Sequence, residues 1–555
     1  MNKKVCSFPI LFALLALLIG TCAVVFPASA QAAPTSTGSI TVSGTVASSY
    51  DAYQIFSANV VDGDNDAKIA TDLAWASDAV RDAALPVLHS AGMPNSQTTA
   101  QEAAEWLNTD SHLTSALSAQ LARSLQSSGP VPVVLNANTA AELPCGYWLI
   151  VADDDAISQN EAGTAPIMAL VGGSAVTVKP KAATPKVAKH VLEDSTAAWQ
   201  KAADATIADD LYWRLSATVP AGLTAYDTYT VWFVDTMSAG LDPSKVAASM
   251  HVYVAAGADG GFDAVSAGKD GRAGTEPAKG WTDITSQCAT KVAADGTFTV
   301  RTGDLIAALG GADAFTAGAR VVAVYNAPLN SACNHGIAKG NANEVYLRYP
   351  RSPFADQSGD AGFTRTPSDD ACAYTWDLAL TKRGSDGDKP LAGAVLSIAD
   401  DRGRTLAADG TWDADGKATV TTGEDGRVTV SGVDSGKLEV RELKAPKGYT
   451  AFEGTRSVTV KAEGLDVDQV AAAKPKLTIT AELPLRADSA DGSTGSLEAS
   501  LINTPTGTPP SITTGGFMPS TGDMAMYAAA AAAVAGAALI VVALLVKRGG
   551  GSHKE

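Results

Sequence analysis

The segment Trp376-Asp-Leu-Ala-Leu-Thr-Lys382 alternates bulky apolar residues with small or polar ones. Successive side chains of a β-strand point to opposite faces, so Leu378, Leu380 and Lys382 should share one face of a strand. That face is apolar apart from the lysine. The segment therefore predicts a strand that carries a lysine into the core of a β-sandwich.

The same alternation returns later in the chain with other polar groups. Glu442 shares its parity with Leu438 and Val440, and Asn503 shares its parity with Leu501. Both polar groups are thus predicted to face apolar core, as Lys382 is. Buried polar groups are costly unless they form hydrogen bonds, so each of these side chains needs a partner inside the core.

Short alternating runs separated by Gly, Asp, Asn and Ser dominate from Gly38 to Asn503. This pattern predicts a mainly β protein built of tandem Ig-like β-sandwich domains. From Asp72 to Leu107 the sequence is instead rich in alanine with apolar residues at helical spacing, so the first domain should carry added helices.

Proline-rich segments at 179–185, 349–371 and 504–516 mark predicted boundaries, because the residue before a proline favours extended backbone. We therefore predict a signal peptide at 1–32, domains at 33–181, 182–355 and 372–505, a linker at 506–517 and a C-terminal sorting segment at 518–555.

Both ends of the chain carry apolar segments. Lys3-Lys4, an apolar stretch and Ala28-Ser-Ala30 predict a secretory signal peptide, with a lipoprotein signal ending at Cys22 as a weaker alternative. Near the other end, an uncharged run from Met524 to Val546 precedes Lys547-Arg548. A run of this length can span a bilayer, and the basic pair marks the cytoplasmic side.

The composition limits the possible partners. The net charge is −18, from 41 basic and 59 acidic residues, which argues against nucleic acid as a partner. Four cysteines follow the signal peptide without metal-ligand spacing. Outside the cell a disulfide is permitted, with Cys288–Cys333 or Cys333–Cys372 conceivable, and the sequence does not choose between them.

The third domain resembles the collagen-adhesin B-type domains of Gram-positive surface proteins. The segment Glu442-Leu-Lys-Ala-Pro-Lys-Gly-Tyr449 is similar to a Glu-x-x-Ala-Pro-x-Gly-Tyr box of that family. The resemblance implies a spontaneous isopeptide bond between a first-strand lysine and a last-strand asparagine. Lys382 would attack the Asn503 carboxamide while Glu442 polarises the carbonyl and moves protons. The alternative is a snorkelling lysine with an ordinary ion pair to Glu442.

The second domain resembles the second domain of fimbrial shaft subunits in the segment Phe233-Val-Asp-Thr-Met-Ser-Ala-Gly-Leu241. That family uses an aspartate beside a Lys–Asn bond. By strand parity we propose Lys189 and Asn343 as the bonded pair and Asp235 as the acid, with Asn341 as the next candidate. Related chains often carry the asparagine further on, where this chain has Arg351.

The first domain resembles the N-terminal domain of actinobacterial-type pilins, through Tyr50-Asp-Ala-Tyr-Gln-Ile-Phe56 and Pro144-Cys-Gly-Tyr-Trp-Leu-Ile150. Shaft subunits carry a Trp-x-x-x-Val-x-Val-Tyr-Pro-Lys motif whose lysine accepts the next subunit. Lys181 stands in that position, after a partial match in which Gly172 and Lys179 replace the Trp and Tyr. Lys179 and Lys186 are the other candidates.

Met518-Pro519-Ser520-Thr521-Gly522 resembles the Leu-Pro-x-Thr-Gly signal that sortases recognise, with Met518 in place of leucine. The resemblance implies that a sortase cleaves after Thr521 and joins its carbonyl to an amine. A plain membrane anchor, with this segment as a breaker before the helix, is the alternative.

Taken together, these resemblances imply a backbone subunit of a sortase-assembled pilus, located outside the cell and anchored to the wall. Implied partners are further copies in a head-to-tail covalent polymer, a pilus-specific class C sortase, a housekeeping sortase with peptidoglycan, minor pilins and a host surface ligand. A wall-anchored monomeric adhesin or a basal or tip pilin are the alternatives.

No enzymatic turnover is expected beyond one autocatalytic event per bond, because the hydrolase motifs Gly-x-Ser-x-Gly and His-Glu-x-x-His do not occur in the sequence. No cofactor or metal is expected either, and we interpret Asp62-Gly-Asp-Asn-Asp66 as a turn rather than a calcium loop.

Overall fold

The computed structural model describes residues 36–64, 67–109, 111–180, 184–221, 223–257 and 280–507. Three β-sheet domains follow one another along the chain, each built from two sheets that enclose a core, and the first also carries helices. The predicted fold class is confirmed. The predicted signal peptide and membrane segment lie outside the described residues, within which no helix is long and apolar enough to cross a membrane.

The first domain packs one three-stranded sheet, in the order β5-β1-β8, against a second sheet, β3-β2-β6-β7, with β4 also paired to β2. Its elements are β1 (Thr37–Val42), β2 (Ser49–Asp62), β3 (Lys68–Trp75), α1 (Asp78–Ser90), α2 (Ala100–Asn108), α3 (Ser115–Ser128), β4 (Val133–Asn136), β5 (Ala140–Pro144), β6 (Gly146–Ala152), β7 (Ile167–Val171) and β8 (Val176–Val178).

The three helices cover the face of the second sheet that points away from the first, where Ile55 and Leu149 contribute to a shared core. Each helix begins at a serine or threonine whose side chain accepts a hydrogen bond from the first turn, and α3 ends at Gly129 with φ +88°. The helical region predicted from the sequence ended at Leu107 and missed α3.

The second domain also contains two sheets, in the orders β10-β9-β12-β18-β14-β15 and β11-β21-β19-β13-β17-β16, with β20 paired to β19. Its elements are β9 (Val187–Glu193), β10 (Ala198–Gln200), β11 (Ala202–Asp204), β12 (Tyr212–Thr218), β13 (Trp232–Met237), α4 (Val246–Ser249), β14 (His251–Ala255), β15 (Trp281–Asp283), β16 (Ala289–Val292), β17 (Thr297–Arg301), α5 (Leu305–Ala308), β18 (Arg320–Asn326), β19 (Asn341–Pro350), β20 (Phe363–Arg365) and β21 (Asp369–Tyr374).

The boundary between the second and third domains differs from the predicted one. The segment 349–371, which the prolines marked as a break, contains β20 and the start of β21, and both strands pair with β19 of the second domain. Only Thr375 separates β21 from the first strand of the third domain. Prolines at strand ends and between strands are compatible with a sheet, which is why composition misplaced this boundary.

The third domain has sheets ordered β27-β22-β33-β29, with β32 on β33, and β25-β24-β23-β28-β30-β31, with β26 on β23. Its strands are β22 (Trp376–Gly384), β23 (Val395–Ala399), β24 (Thr405–Leu406), β25 (Trp412–Asp413), β26 (Val420–Thr421), β27 (Arg427–Val433), β28 (Gly436–Lys444), β29 (Tyr449–Thr450), β30 (Thr455–Glu463), β31 (Lys476–Ala481), β32 (Leu485–Asp491) and β33 (Ser496–Pro505).

The first and last strands of the third domain, β22 and β33, are parallel neighbours in one sheet. The domain also contacts the second domain closely: the Ile207 amide donates to the Gly432 carbonyl at 3.0 Å. A side chain at position 432 would meet Ile207 at 2.1 Å, and φ there is +67°, so glycine permits this approach.

Candidate functional site

The third domain brings Lys382, Glu442 and Asn503 into contact. Lys382 lies on β22 and Asn503 on β33, and the Lys382 Nζ donates to the Asn503 Oδ1. Glu442 reaches the pair from β28 in the facing sheet. Its Oε1 accepts from the Asn503 Nδ2 at 2.9 Å and lies 3.2 Å from the Lys382 Nζ. A single carboxylate oxygen therefore touches both the amine and the amide nitrogen.

This cluster is buried, as the strand parity predicted. Lys382 is 0% exposed, Asn503 2% and Glu442 6%. Burial lowers the pKa of Lys382 to about 8, against the opposing effect of the Glu442 charge. A larger fraction of the lysine is therefore a neutral amine with a free electron pair at physiological pH, which is the form that attacks a carbonyl carbon.

The second domain buries an analogous set, Lys189, Asp235 and Asn343, all fully. Lys189 lies on β9 of one sheet, whereas Asp235 and Asn343 lie on β13 and β19, which are neighbours in the other sheet. The Lys189 Nζ donates to the Asp235 Oδ2. The site thus spans the core between the two sheets.

Burial acts on both members of this ion pair. It lowers the pKa of Lys189 to about 8 and raises the pKa of Asp235 to about 6. The two values lie much closer together than those of lysine and aspartate in water. Transfer of a proton from the ammonium to the carboxylate, which gives a neutral amine beside a neutral acid, is therefore far less costly here than in solvent.

Tyr325 is a member of this site that the sequence did not predict. Its hydroxyl accepts from the Lys189 Nζ at 2.8 Å and from the Asn343 Nδ2 at 2.9 Å, and it donates to the Asp235 Oδ2 at 3.2 Å. In the sequence, Tyr325 ends an apolar run on β18 and has the appearance of an ordinary core aromatic residue. Its role depends on which strands face each other, and no local pattern gives that information.

Two further residues hold the backbone of Lys189. The Asp369 Oδ2 accepts from the Lys189 amide at 2.6 Å, and the Lys201 Nζ donates to the Lys189 carbonyl at 2.8 Å. Lys201 and Asp369 also form an ion pair with each other. These contacts fix the peptide groups on both sides of Lys189, so its side chain enters the core from a constrained position.

The alternative asparagine, Asn341, is buried but is engaged elsewhere. Its Oδ1 accepts from the Asn334 amide at 2.8 Å, and its Nδ2 donates to the carbonyls of Asn334 and Ala373. It closes the loop before β19 and makes no hydrogen bond to Lys189. Arg351 lies eight residues beyond Asn343, a distance of about 26 Å along an extended chain, and contacts Asp154 of the first domain.

The predicted linkage and sorting residues are only partly described. Lys179 and Lys186 are exposed on either side of residues 181–183. Lys181, Met518, Pro519, Ser520, Thr521 and Gly522 all lie outside the described residues. In the sequence, Lys181 is the third residue after the edge strand β8, which pairs in parallel with β1.

The four cysteines beyond the signal peptide, at positions 145, 288, 333 and 372, are free thiols. Neither conceivable disulfide is therefore formed. Burial raises the pKa of Cys288, Cys333 and Cys372 to about 11, so these thiols stay protonated and weakly reactive at neutral pH.

Comparison with known families identifies part of the chain. Residues 377–474 match the family model described as the SpaA prealbumin-like fold domain. The third domain is therefore similar to the SpaA prealbumin-like fold domain. Its match covers Lys382 and Glu442 and ends before the strand that carries Asn503.

Among curated proteins, the chain is similar to the trypsin-resistant surface T6 protein of Streptococcus pyogenes serotype M6, with 29% identity over 143 residues. The match covers 24% of this chain and 24% of that relative, so the chain spans about a quarter of the relative's length.

Similar solved structures carry the names of backbone or major pilins. The T6 backbone pilin of serotype M6 Streptococcus pyogenes has a TM-score of 0.45 and 17% identity, covering 85% of this chain and 98% of that chain. The full-length major pilin SpaD from Corynebacterium diphtheriae has a TM-score of 0.41 and 16% identity, covering 69% and 84%. The family model and the similarity to the T6 surface protein support the resemblance to Gram-positive backbone pilins that was stated from the sequence.

Proposed function

We propose that this protein is the backbone subunit of a covalently polymerised surface pilus, whose domains are reinforced by internal Lys–Asn isopeptide bonds. One observation carries the proposal: two consecutive domains each bury a lysine, an acid and an asparagine. In the third domain the three side chains contact one another, and in the second domain the Tyr325 hydroxyl connects the asparagine to the lysine and the acid. An ordinary buried ion pair is a poor source of stability, because desolvation offsets most of the attraction. A covalent bond between the lysine and the asparagine would explain both buried sets of residues, and it would reinforce the domains of a shaft subunit.

In the third domain, the neutral Lys382 amine attacks the Asn503 Cγ, a Cγ–Nζ bond forms, and the Cγ–Nδ2 bond breaks to release ammonia. One proton leaves the amine and one joins the departing nitrogen, so the reaction is balanced without a cofactor. The Glu442 Oε1 contacts both nitrogens, at 3.2 and 2.9 Å, and is placed to move that proton. In the second domain, Lys189 and Asn343 form the bond with Asp235 as the acid.

Polymerisation would join subunits from end to end. A pilus-specific sortase would cleave the signal at Met518 to Gly522 and transfer the Thr521 carbonyl to Lys181 of another copy. The contact between the tail of one subunit and the first interdomain junction of the next is heterologous, and its repetition gives an open filament. The order of sorting motif, apolar run and basic stop in the sequence supports this step.

The internal bonds are tested by the intact mass of the soluble fragment 33–517. Each bond releases one ammonia, so two bonds predict a deficit of about 34 Da relative to the sequence mass. A deficit of about 17 Da would show that only one bond forms, and peptide mapping would identify which one. A deficit of zero would overturn the internal cross-links.

The polymer is tested separately on cells. Wall extracts of the wild type should give a ladder of high-mass species on denaturing gels, and Lys181→Ala should abolish it while Lys179→Ala and Lys186→Ala leave it intact. A single discrete species from the wild type would instead identify a wall-anchored monomeric adhesin.

A further inference from the structure

The two proposed cross-linking sites require the same proton transfers but contain different side chains. In both reactions a proton leaves the lysine nitrogen and another joins the asparagine nitrogen. In the third domain one atom, the Glu442 Oε1, lies within hydrogen-bonding distance of both nitrogens. A carboxylate in that position can take the first proton and deliver the second.

The acid of the second domain does not occupy that position. Asp235 is one methylene shorter than a glutamate, and it contacts the Lys189 Nζ but makes no hydrogen bond to Asn343 within the described structure. The Asp235 Oδ1 and the Asn343 Oδ1 are both buried without a hydrogen-bond partner. The carboxylate therefore lacks contact with the leaving nitrogen.

The hydroxyl of Tyr325 fills the equivalent position. It lies 2.8 Å from the Lys189 Nζ, 2.9 Å from the Asn343 Nδ2 and 3.2 Å from the Asp235 Oδ2. It is thus the atom of this site that touches the attacking nitrogen, the leaving nitrogen and the acid together. Burial raises the pKa of Tyr325 well above its usual value of 10, so the hydroxyl keeps its proton at physiological pH.

We propose that Tyr325 is a catalytic residue of the second-domain reaction, in which it relays a proton from the Lys189 Nζ to the Asn343 Nδ2. As the Nζ–Cγ bond forms and the Cγ–Nδ2 bond breaks, the phenol turns its O–H away from the Asp235 Oδ2 and gives that proton to the leaving Nδ2, which departs as ammonia. It regains a proton from the lysine nitrogen, so the tyrosine is unchanged after the single turnover. Asp235 keeps its own role, in which its carboxylate accepts the ammonium proton of Lys189 and leaves a neutral amine. This inference rests on the proposed Lys189–Asn343 bond.

The test compares variants of the 33–517 fragment, which contains all three domain cores. The readout is the fraction of chains with the Lys189–Asn343 cross-linked peptide, followed by mass spectrometry against time after synthesis. The Lys382–Asn503 peptide of the same chain is the internal reference. Tyr325→Phe removes only the hydroxyl and keeps the ring that packs on Phe298 at 4.8 Å. Tyr349→Phe, another fully buried tyrosine whose hydroxyl contacts none of the reacting groups, is the matched control.

We expect Tyr325→Phe to slow the second-domain bond by about 100-fold or more, in the range of general acid–base catalysis, and Tyr349→Phe to leave the rate unchanged. The third-domain bond should form normally in both. A wild-type rate in Tyr325→Phe would overturn the relay. Absence of the Lys189–Asn343 peptide from the wild type would instead overturn the proposed bond itself.

A second variant distinguishes catalysis from packing. Adding Asp235→Glu to Tyr325→Phe lengthens the acid by one methylene and recreates the arrangement of the third domain. The double variant should form the Lys189–Asn343 bond at least about tenfold faster than Tyr325→Phe, since the carboxylate can then contact both nitrogens. A folded, protease-resistant double variant that is no faster than Tyr325→Phe would contradict the assignment.

Discussion

Replacing Glu442 with glutamine should leave the third domain folded but without the proposed Lys382–Asn503 bond. The substitution keeps the size of the side chain and its capacity to accept from the Asn503 Nδ2, but it removes the group that takes a proton from Lys382. Intact mass should therefore rise by about 17 Da over the value expected from the substitution alone, because one ammonia is retained.

The loss of stability follows from the length of the loop that the bond closes. Lys382 and Asn503 are 121 residues apart in sequence. In the chain-entropy treatment of cross-links, a loop of this length stabilises the folded state by about 5 kcal/mol. For a domain of this size, that free energy corresponds to a decrease in melting temperature of about 15–20 °C.

Calorimetry of the 33–517 fragment measures this change, and Glu439→Gln is the matched control. Glu439 lies on the same strand with opposite parity, and its exposed side chain pairs with Lys437, its one ion-pair partner among the residues that the structure describes. Its replacement should alter neither mass deficit nor melting temperature measurably. The reasoning is refuted if Glu442→Gln retains the mass deficit of the wild type, or if it loses the bond and melts within a few degrees of the wild type.

Three further outcomes are expected. First, Lys382 stays a free amine in Glu442→Gln, and burial lowers its pKa in the folded state to about 8 even when Glu442 is present, below the value of an unfolded lysine. The unfolded state therefore binds more protons than the folded state between pH 8 and pH 10, and stability rises with pH in that range. The melting temperature should thus rise from pH 8 to pH 10 in this variant and not in the cross-linked wild type. Second, Asn343→Ala should remove about 17 Da of the mass deficit, whereas Asn341→Ala should keep the full deficit and only weaken the loop before β19; the reverse result would move the bond to Asn341. Third, desolvation and the nearby charges of Asp204, Asp194 and Glu193 raise the pKa of Asp434 well above its usual value, so the folded state binds more protons than the unfolded state and loses stability as the pH rises. Asp434→Asn should therefore raise the melting temperature at pH 8 and flatten its dependence on pH between 5 and 8. Calorimetry at both pH values that gave an unchanged profile for Asp434→Asn would contradict this expectation.

Strand parity placed the principal groups of the third-domain site in the core, whereas in the second domain it did not distinguish Asn343 from Asn341. Lys382, Glu442 and Asn503 each interrupt an apolar face at a position of the correct parity, and a period of two requires no knowledge of tertiary structure. Tyr325 gave no such signal, because an aromatic residue on an apolar face is the ordinary content of a core. Tyr325 reaches the site only because its sheet packs face to face with the sheet that carries Asp235 and Asn343, and sequence periodicity does not specify how two sheets pack.

Two features of the fold were missed for different reasons. Helix α3 carries Leu117, Leu121 and Leu125 at helical spacing between Thr114 and Gly129, so its capping signals were present in the sequence and could have been used. The boundary after residue 355 was misplaced because prolines were taken as a break, although β20 and β21 pair with β19 on the other side of them. Pairing between distant strands decides such a boundary, and composition does not record it.

The positions of the two bonds imply different responses to tension. In the proposed filament, force would enter the third domain at β22 and leave at β33, and the proposed Lys382–Asn503 bond would connect those two strands directly. In the second domain, force enters at β9 but leaves at β21, whereas the bond from Lys189 ends on β19. The residues between Asn343 and Thr375 therefore remain in the load path, held by the pairing of β20 and β21 with β19. In single-molecule pulling of the cross-linked fragment, the third domain should not extend, and the second should release about 30 residues, or about 100 Å of chain. Complete unfolding of the second domain in a chain that contains the Lys189–Asn343 peptide would contradict this path, since a covalent loop cannot be opened by force that leaves its bond intact.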